Sequence, residues 1–480
     1  MTQINKLKYL NSDEESIIAR CTPVGSGAIA VLRLCGKDSI LIVDKIAKLS
    51  SDKKLSDLSS HTIHHGFVYS FDEKNNKNEI IDEVLFLLMR GPKTFTGQDT
   101  VEINCHNNPF IIEKIIELAI KNGARLAQRG EFSKRAFLNN KIDLIQAESI
   151  NEIIGAQTEL ALKKSMSQLK GTLSNFVKKT EQELVELLAI VESSFEFLEE
   201  EQNDIDLKSL IKNKINLFLQ NLRKIKKDFN AQQQIRQGIK IAIVGDVNAG
   251  KSTLFNALLN KDRSIVTSIE GTTRDSVEST LYKSGNFWLL TDTAGLRKTK
   301  DEIEIQGIER SWQEAEKSDV VLLVFDSSIL ENVDEDKLKI YSKIIKQYKE
   351  KVILVFNKID KSKINVDMFL KNFEQKINYI KIAAKEKIGI LDLEEMIQFK
   401  IQQMFENLNS PFLLNQRQFN LIVQLEQMMD FVVKGMSDGL QYELIAYHIK
   451  DMLENLSELT GKNVTEKLLD TVFNTFCVGK

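Results

Sequence analysis

Apolar residues change their spacing along this chain, and each change marks a part of it. Over residues 1–122 they alternate with polar ones, which predicts strands at 28–34, 64–71, 83–89 and 100–105; the stretch 110–121 has helical spacing. From 143 to 201 the period lengthens to that of helices. Leu162, Met166, Leu169, Leu173 and Phe176 recur in steps of four and three, and Leu184, Leu187 and Val191 resume the stripe after Thr180, as a bundle seam requires. A further amphipathic helix is expected over 206–229. Short continuous apolar runs follow at 239–244, 286–290, 320–325 and 352–356, the mark of strands buried on both faces. No proline occurs between Pro109 and Pro411; beyond Pro411, Phe419, Ile422, Leu425, Met429 and Val432 restart a helical stripe that continues through 444–459.

The first buried run leads into Gly245-Asp246-Val247-Asn248-Ala249-Gly250-Lys251-Ser252, the spacing G-x-x-x-x-G-K-[ST] between a strand and a helix. Glycines let backbone N–H groups curl around phosphates, a lysine reaches the outer two, and a serine hydroxyl ligates Mg²⁺. Asp292-Thr293-Ala294-Gly295 follows the second run, where a carboxylate can hold the Mg²⁺ shell and a glycine lets backbone approach the terminal phosphate. Asn357-Lys358-Ile359-Asp360 follows the last. A carboxylate at Asp360 accepts two hydrogen bonds from the N1–H and 2-amino edge of guanine, a donor pair that adenine lacks, so the nucleotide is expected to be GTP. Gly271-Thr272-Thr273-Arg274-Asp275 lies in the loop between, with Thr273 placed to complete the Mg²⁺ shell. Leu296 stands where common switch proteins carry a water-orienting glutamine. Hydrolysis therefore needs a group from elsewhere: Asp301, Glu302 and Glu304 are acidic candidates, and Arg274, Arg297 or a monovalent cation are sources of positive charge.

With 480 residues, 42% of them hydrophobic, there is material for about three domains. The net charge of −3 advertises no nucleic-acid surface, so any RNA contact must be local, and the run Arg223–Lys227 reads as a solvated helix face. Cys21, Cys35, Cys105 and Cys477 lack C-x-x-C spacing, which points to a reducing, cytoplasmic setting and away from structural zinc. No apolar run approaches the roughly 20 residues of a membrane span, so no membrane partner is expected. Arg33 and Glu102 sit on strand-like segments, where Arg suits a carboxylate and Glu an amidine-like edge; alone, each reads as a surface charge or an internal ion pair. His61, His64, His65, Cys105 and His106 match no standard zinc spacing.

Taken together, GDVNAGKST, TSIEGTTRD, DTAGLR and NKID, preceded by TPVGSGAIAVLRLCG and GEFSKRAFLNNKIDLIQAE and closed by FCVGK, resemble the MnmE (TrmE) family of tRNA modification GTPases over nearly the whole chain. The resemblance implies a multidomain α/β plus α protein. Residues 1–122 would form an N-terminal α+β domain for tetrahydrofolate binding and dimerisation. Residues 123–237 and 402–480 would be the halves of a discontinuous helical bundle, and 238–401 an inserted Ras-like GTPase domain.

It also implies the site residues. GTP would be held by Asn248, Ala249, Gly250, Lys251, Ser252 and Thr253; by Thr267, Ser268, Ile269, Glu270, Gly271, Thr272 and Thr273; by Asp292, Thr293, Ala294 and Gly295; and by Asn357, Lys358 and Asp360. Ser252 and Thr273 would bind Mg²⁺. Asn248, Thr267, Ile269 and Thr272 would bind the K⁺ that replaces an arginine finger, and Glu304 would orient water. Arg33, Glu102, Lys141 and Lys480 would contact a tetrahydrofolate derivative, in its 5,10-methylene or 5-formyl form, and Cys477 would be the family's terminal cysteine. The implied activity is potassium-dependent GTP hydrolysis in a homodimer. With an FAD-binding partner, as a heterotetramer, it would modify C5 of the wobble uridine of tRNA to an aminomethyl- or carboxymethylaminomethyl-uridine. The chain departs from the family pattern at Asn107-Asn108, where a glycine pair is usual, and at Arg129, where proline is usual. A GTP-gated ribosome-assembly switch is the rival reading, weakened by the lack of a GXXG segment or basic stripe; a membrane-associated signalling GTPase lacks a lipidation pattern, since Lys480 ends the chain after Gly479.

Overall fold

The structure, a computed structural model, describes residues 15–72, 77–193, 201–227, 229–246, 248–259, 278–292, 315–330, 335–348, 350–361, 366–370, 373, 377–406 and 410–480. It falls into two compact units: Met1–Asn151 with Met166–Arg223 and Asn415–Lys480, and Glu152–Ser165 with Lys224–Leu414.

In the first unit the alternating segments form a seven-stranded sheet from β1 (Ile17–Arg20), β2 (Ile29–Cys35), β3 (Ala47–Leu49), β4 (Thr62–Asp72), β5 (Lys77–Met89), β6 (Thr100–His106) and β7 (Arg125–Leu126), in the order β3-β4-β5-β6-β2-β1-β7. Helices α1 (Ser39–Ile46) and α2 (Pro109–Lys121) cover one face, and Ile40, Val43, Ile112 and Ile115 pack there against Leu32, Phe86 and Ile103. Because side chains alternate along a strand, Arg33 on β2 and Glu102 and Asn104 on β6 belong to the opposite face. The departure at 107–108 has a local role. Asn108 N-caps α2 by accepting from Phe110 N–H, and Asn107 Nδ2 donates to the carbonyls of Gly25 and Gly27.

Helix α3 (Glu131–Leu138) leads to α4 (Leu144–Gly155), α5 (Glu159–Leu169), α6 (Thr172–Ser193), α7 (Glu201–Lys227) and α8 (Phe229–Gln237). The expected seam is confirmed in α6 at Leu173, Leu184, Leu187 and Val191, which are buried, but Phe176 is only half-buried and Val177 takes the core position beside it, and the seam is corrected in α5. There Leu162 and Met166 are exposed, while Ala161, Ser165 and Gln168 face inward. The helix breaks at Gly171, at φ +94°, so the stripe cannot run in one phase through both helices. Arg223 likewise is not merely solvated: it donates to Glu426 and Asp430.

The second unit carries a six-stranded sheet of β8 (Ile239–Gly245), β9 (Glu278–Lys283), β10 (Asn286–Asp292), β11 (Val320–Asp326), β12 (Val352–Asn357) and β13 (Tyr379–Lys381), in the order β13-β12-β11-β8-β10-β9, parallel except for β9. Every residue of β11 and β12 is buried, because α9 (Lys251–Leu259) and α12 (Ile390–Glu406) pack on one side and α10 (Glu335–Gln347) and α11 (Val366–Leu370) on the other.

Returning to the first unit, α13 (Gln416–Ser437), α14 (Tyr442–Thr460) and α15 (Glu466–Phe473) close the chain, with α14 packed against α6 and α13. No helix among the described residues is long and apolar enough to cross a membrane.

Candidate functional site

The phosphate loop lies at the carboxyl end of β8, where a parallel sheet opens a crevice for ligands. Residues 248–253 run from the turn into the first helical turn of α9. Asn248 is exposed, with φ +64°, and Ala249 is buried. Lys251, only 7% exposed, turns its ammonium back to the carbonyls of Gly245 at 2.9 Å and Asp246 at 2.7 Å. Ser252 and Thr253 present their side chains to solvent at the helix N-terminus, where N–H groups and the helix dipole favour an anion.

The segment Asn357–Asp360 is tied to this loop. Asn357, 2% exposed, donates through Nδ2 to Ala249 O at 2.9 Å and accepts through Oδ1 from Ala384 N–H at 3.0 Å. Gly250 makes that approach possible: a Cβ there would lie 2.2 Å from Asn357 Nδ2, and the residue has φ +94°. Lys358 donates to Asn248 O and to Asp326 Oδ2, each at 2.6 Å. Burial works to raise the pKa of Asp326; the hydrogen bonds from Lys358 and Ser328 outweigh it, and the carboxyl sits below its ordinary value. Asp360 is exposed.

Asp292 ends β10. Thr267, Ser268, Ile269, Glu270, Gly271, Thr272, Thr273, Thr293, Ala294, Gly295, Leu296 and Glu304 lie outside the described residues. The Mg²⁺ pair is thus described only at Ser252, and the K⁺ set only at Asn248.

A second constellation lies in the first unit. Arg33 and Glu102 are direct cross-strand partners: Nε donates to Glu102 Oε1 at 2.8 Å, and Nη2 lies 2.7 Å from the same oxygen in an ion pair. Both side chains are mostly shielded, at 23% and 18% exposure, and the Arg33 guanidinium lies 5.5 Å from the centre of the Phe132 ring. On the same strand face, Asn104 Oδ1 is buried without a partner, an acceptor still unspent beside the pair.

The chain's last residues dock on this region. Phe132 N–H donates to Lys480 O at 3.1 Å, Gly130 N–H to Cys477 O at 3.4 Å, and the Cys21 thiol to Gly479 O at 3.4 Å. Gly479, at φ +93°, lets the turn close: a Cβ would lie 2.6 Å from Arg20 O. Burial raises the Cys21 pKa; Arg33 and Lys480 oppose it and Glu102 adds to it. Cys477 is a free, exposed thiol. Lys141 Nζ donates to Pro92 O at 2.7 Å.

Sequence reasoning did not single out Cys21, Asn104 or Ala384. Their roles come from strand register and from a backbone N–H, neither of which leaves a local motif.

Comparison with known proteins identifies the family. A family model for the GTP-binding protein TrmE N-terminus matches residues 16–141, and one for the MnmE helical domain matches 144–477. The chain is 36% identical to the tRNA modification GTPase MnmE of Thermotoga petrophila over 468 residues, covering 97% of this chain and all of that one. It is 38% identical to the MnmE of Aquifex aeolicus over 469 residues, again covering 97% and all. Among solved structures it is similar to the G domain of the T. maritima FeoB iron transporter, at 28% identity and a TM-score of 0.25 over 35% of this chain and 98% of that one. It is also similar to Aquifex aeolicus Era, at 27% and 0.28 over 40% and 66%. On the strength of the near full-length likeness, the chain belongs to the family of tRNA modification GTPases MnmE, and it is a GTP hydrolase with a role in tRNA modification.

Proposed function

We propose that the modification is made at C5 of the wobble uridine, position 34, with a tetrahydrofolate derivative as one-carbon donor, and that the chain works as a homodimer with a flavin-binding partner. The observation that carries this reading is the docking of residues 477–480 beside the Arg33–Glu102 ion pair, which gathers two cations, a carboxylate and two thiol-bearing residues around a partly shielded sheet face. The residue set suits a folate. Glu102 can accept from the amino and N–H edge of a pterin, Asn104 Oδ1 offers a further acceptor, and Arg33 and Lys480 suit carboxylates. When bound, the folate would supply a carbon at the oxidation level of formaldehyde or formate. The chain's part is to orient it, exclude water with Phe132 and the terminal turn, and hold charge around it.

In the nucleotide unit, Lys251 and the N-terminus of α9 would neutralise the outer phosphates, Ser252 with Thr273 would hold Mg²⁺, and Asp360 would select guanine. K⁺ at Asn248 and the 267–272 loop would stand in for an arginine finger, and Glu304 would orient water in place of the missing glutamine.

Nucleoside analysis of tRNA from cells lacking this chain tests the chemistry: loss of C5-modified wobble uridines and their return with the intact gene are expected, and unchanged tRNA would refute it. GTP turnover tests the cation and the dimer. It should rise sharply in potassium over sodium and fall on dilution, whereas equal rates in both salts would remove the cation role of Asn248.

A further inference from the structure

The link between β1 and β2 is open to solvent. Every residue from Pro23 to Ile29 is exposed, Val24 at 89%, and Gly25 and Gly27 widen the backbone's choices. The strand holds its first residues: Cys21 N–H donates to Val31 O at 2.8 Å, and Val31 N–H donates to Thr22 Oγ1 at 3.3 Å. Beyond Thr22 the hold comes from Asn107, just past the end of β6. Its Nδ2 donates to Gly25 O at 2.9 Å and to Gly27 O at 3.0 Å, and its N–H donates to Ala28 O at 3.0 Å. Its Oδ1 accepts at 2.9 Å from Arg20 Nη2, which also donates to Pro23 O. Both ends of one amide are thus spent on one loop, and a guanidinium from β1 closes the clasp.

The loop leaves the sheet beside the terminal turn, where the Cys21 thiol donates to Gly479 O at 3.4 Å and a Cβ on Gly479 would lie 2.6 Å from Arg20 O. It rejoins the sheet at Ile29, opposite His106, one strand repeat of about 7 Å from the Val31–Asn104 pair. Val31 and Asn104 belong to the face that carries Arg33 and Glu102, two residues further along each strand. Residues 22–28 therefore border that face at its Asn104 end. A loose border would have to be ordered by the ligand at a cost in affinity, and a border fastened beforehand avoids that cost.

We infer that Asn107 and Arg20 are positioning residues for the folate site: together they hold residues 22–28 as a preformed wall at the Asn104 end of the Arg33–Glu102 face. The inference rests on the folate reading of that face. Alanine at 107 removes both ends of the amide and keeps the backbone. Methionine at 20 keeps an apolar stem and removes the guanidinium. Aspartate at 107 keeps an acceptor for Arg20 but sets a carboxylate oxygen against the carbonyls of Gly25 and Gly27. Because the two residues act on one loop, releasing it through Asn107 leaves little for the loss of Arg20 to add.

The test is calorimetric titration of the full chain with 5-formyl-tetrahydrofolate, with circular dichroism and thermal midpoints measured alongside. Asn107→Ala is expected to weaken binding about tenfold and Arg20→Met about fourfold, while the double variant stays within about twofold of Asn107→Ala instead of reaching the product of about fortyfold. Asn107→Asp should lose at least as much as alanine, since two donors become repelling acceptors. Thermal midpoints should stay near the parent's, because the bonds released lie in an exposed loop. Parent-strength binding in Asn107→Ala, or losses that multiply in the double variant, would overturn the inference. Where Asn107→Ala fails to fold, Arg20→Met decides alone: weakened binding with the fold intact supports the clasp, and parent-strength binding or a second unfolded protein overturns it. Glu102→Gln separates the two layers. A parent that does not bind the folate, or binds it equally well with Glu102→Gln, removes the folate reading itself, whereas loss in Glu102→Gln beside full binding in Asn107→Ala removes the clasp alone.

Discussion

Asn357 clamps two backbones at once, donating to Ala249 O at 2.9 Å and accepting from Ala384 N–H at 3.0 Å. Both partners are buried, at 0% and 3% exposure, so neither backbone group finds water if the amide is removed. Each stranded group costs about 1–3 kcal/mol. Asn357→Ala is therefore expected to weaken GDP binding at least tenfold and to lower the thermal midpoint of the nucleotide unit. Calorimetric titration with GDP checks this, and an unchanged dissociation constant would show that the clamp does not shape the site.

A largely shielded ion pair, with Glu148 buried and Arg417 partly so, joins chain segments far apart in sequence within the first unit. Arg417 on α13 donates from Nε at 2.7 Å and Nη2 at 2.8 Å to the two oxygens of Glu148 on α4, and Gln418 Nε2 adds a bond at 2.7 Å. Removing one partner leaves an uncompensated charge. Glu148→Ala should cost about 3–5 kcal/mol, and the double replacement Glu148→Met with Arg417→Met should cost much less, because apolar groups of similar volume replace the pair. Denaturant unfolding of the three proteins reads the difference; equal losses in single and double variants would contradict it.

The nucleotide elements were legible because each is a short motif tied to the end of an apolar run: Lys251 after β8, Asp292 at the end of β10, Asn357 at the end of β12. The α6 stripe was legible from its steps of four and three. What escaped depends on distance along the chain. Nothing near Arg223 announces Glu426, more than two hundred residues on, and nothing near Arg33 announces that Glu102 is its cross-strand neighbour rather than an independent ligand. Leu162 and Met166 were misplaced for a related reason, since periodicity cannot see the phase reset at Gly171.

Buried Asp82 accepts from both His106 N–H at 2.8 Å and His106 Nδ1–H at 2.7 Å, while the imidazole is mostly exposed. The hydrogen bond and then the charge of Asp82 raise the His106 pKa above its ordinary value, with a smaller push from Glu83 and an opposing one from desolvation. A folded pKa above the unfolded one means that the pair's contribution to stability is complete below the unfolded value and is lost as pH rises through the folded value. An NMR titration should place the His106 midpoint above that of an exposed histidine, and Asp82→Asn should bring it down. A midpoint unmoved by that substitution would show that Asp82 does not set it.

The Arg33–Glu102 pair yields the sharpest test of the folate reading. Glu102 has one oxygen engaged by Arg33 from two nitrogens, which leaves its other oxygen for a ligand's donor edge. Glutamine at 102 keeps the size and one acceptor but turns the other position into a donor, which opposes a pterin amino group and weakens the hold on Arg33. Hydrogen bonds involving a charged partner contribute about 1.5–3 kcal/mol, so Glu102→Gln should weaken 5-formyl-tetrahydrofolate binding by roughly 10- to 150-fold. The nucleotide residues belong to the other compact unit, so GDP affinity of the same protein is expected to stay near the parent's and serves as the folding control. Calorimetry with both ligands on one preparation decides the matter: folate binding retained at full strength would remove Glu102 from the site, while joint loss of both ligands would mark it as a structural residue instead.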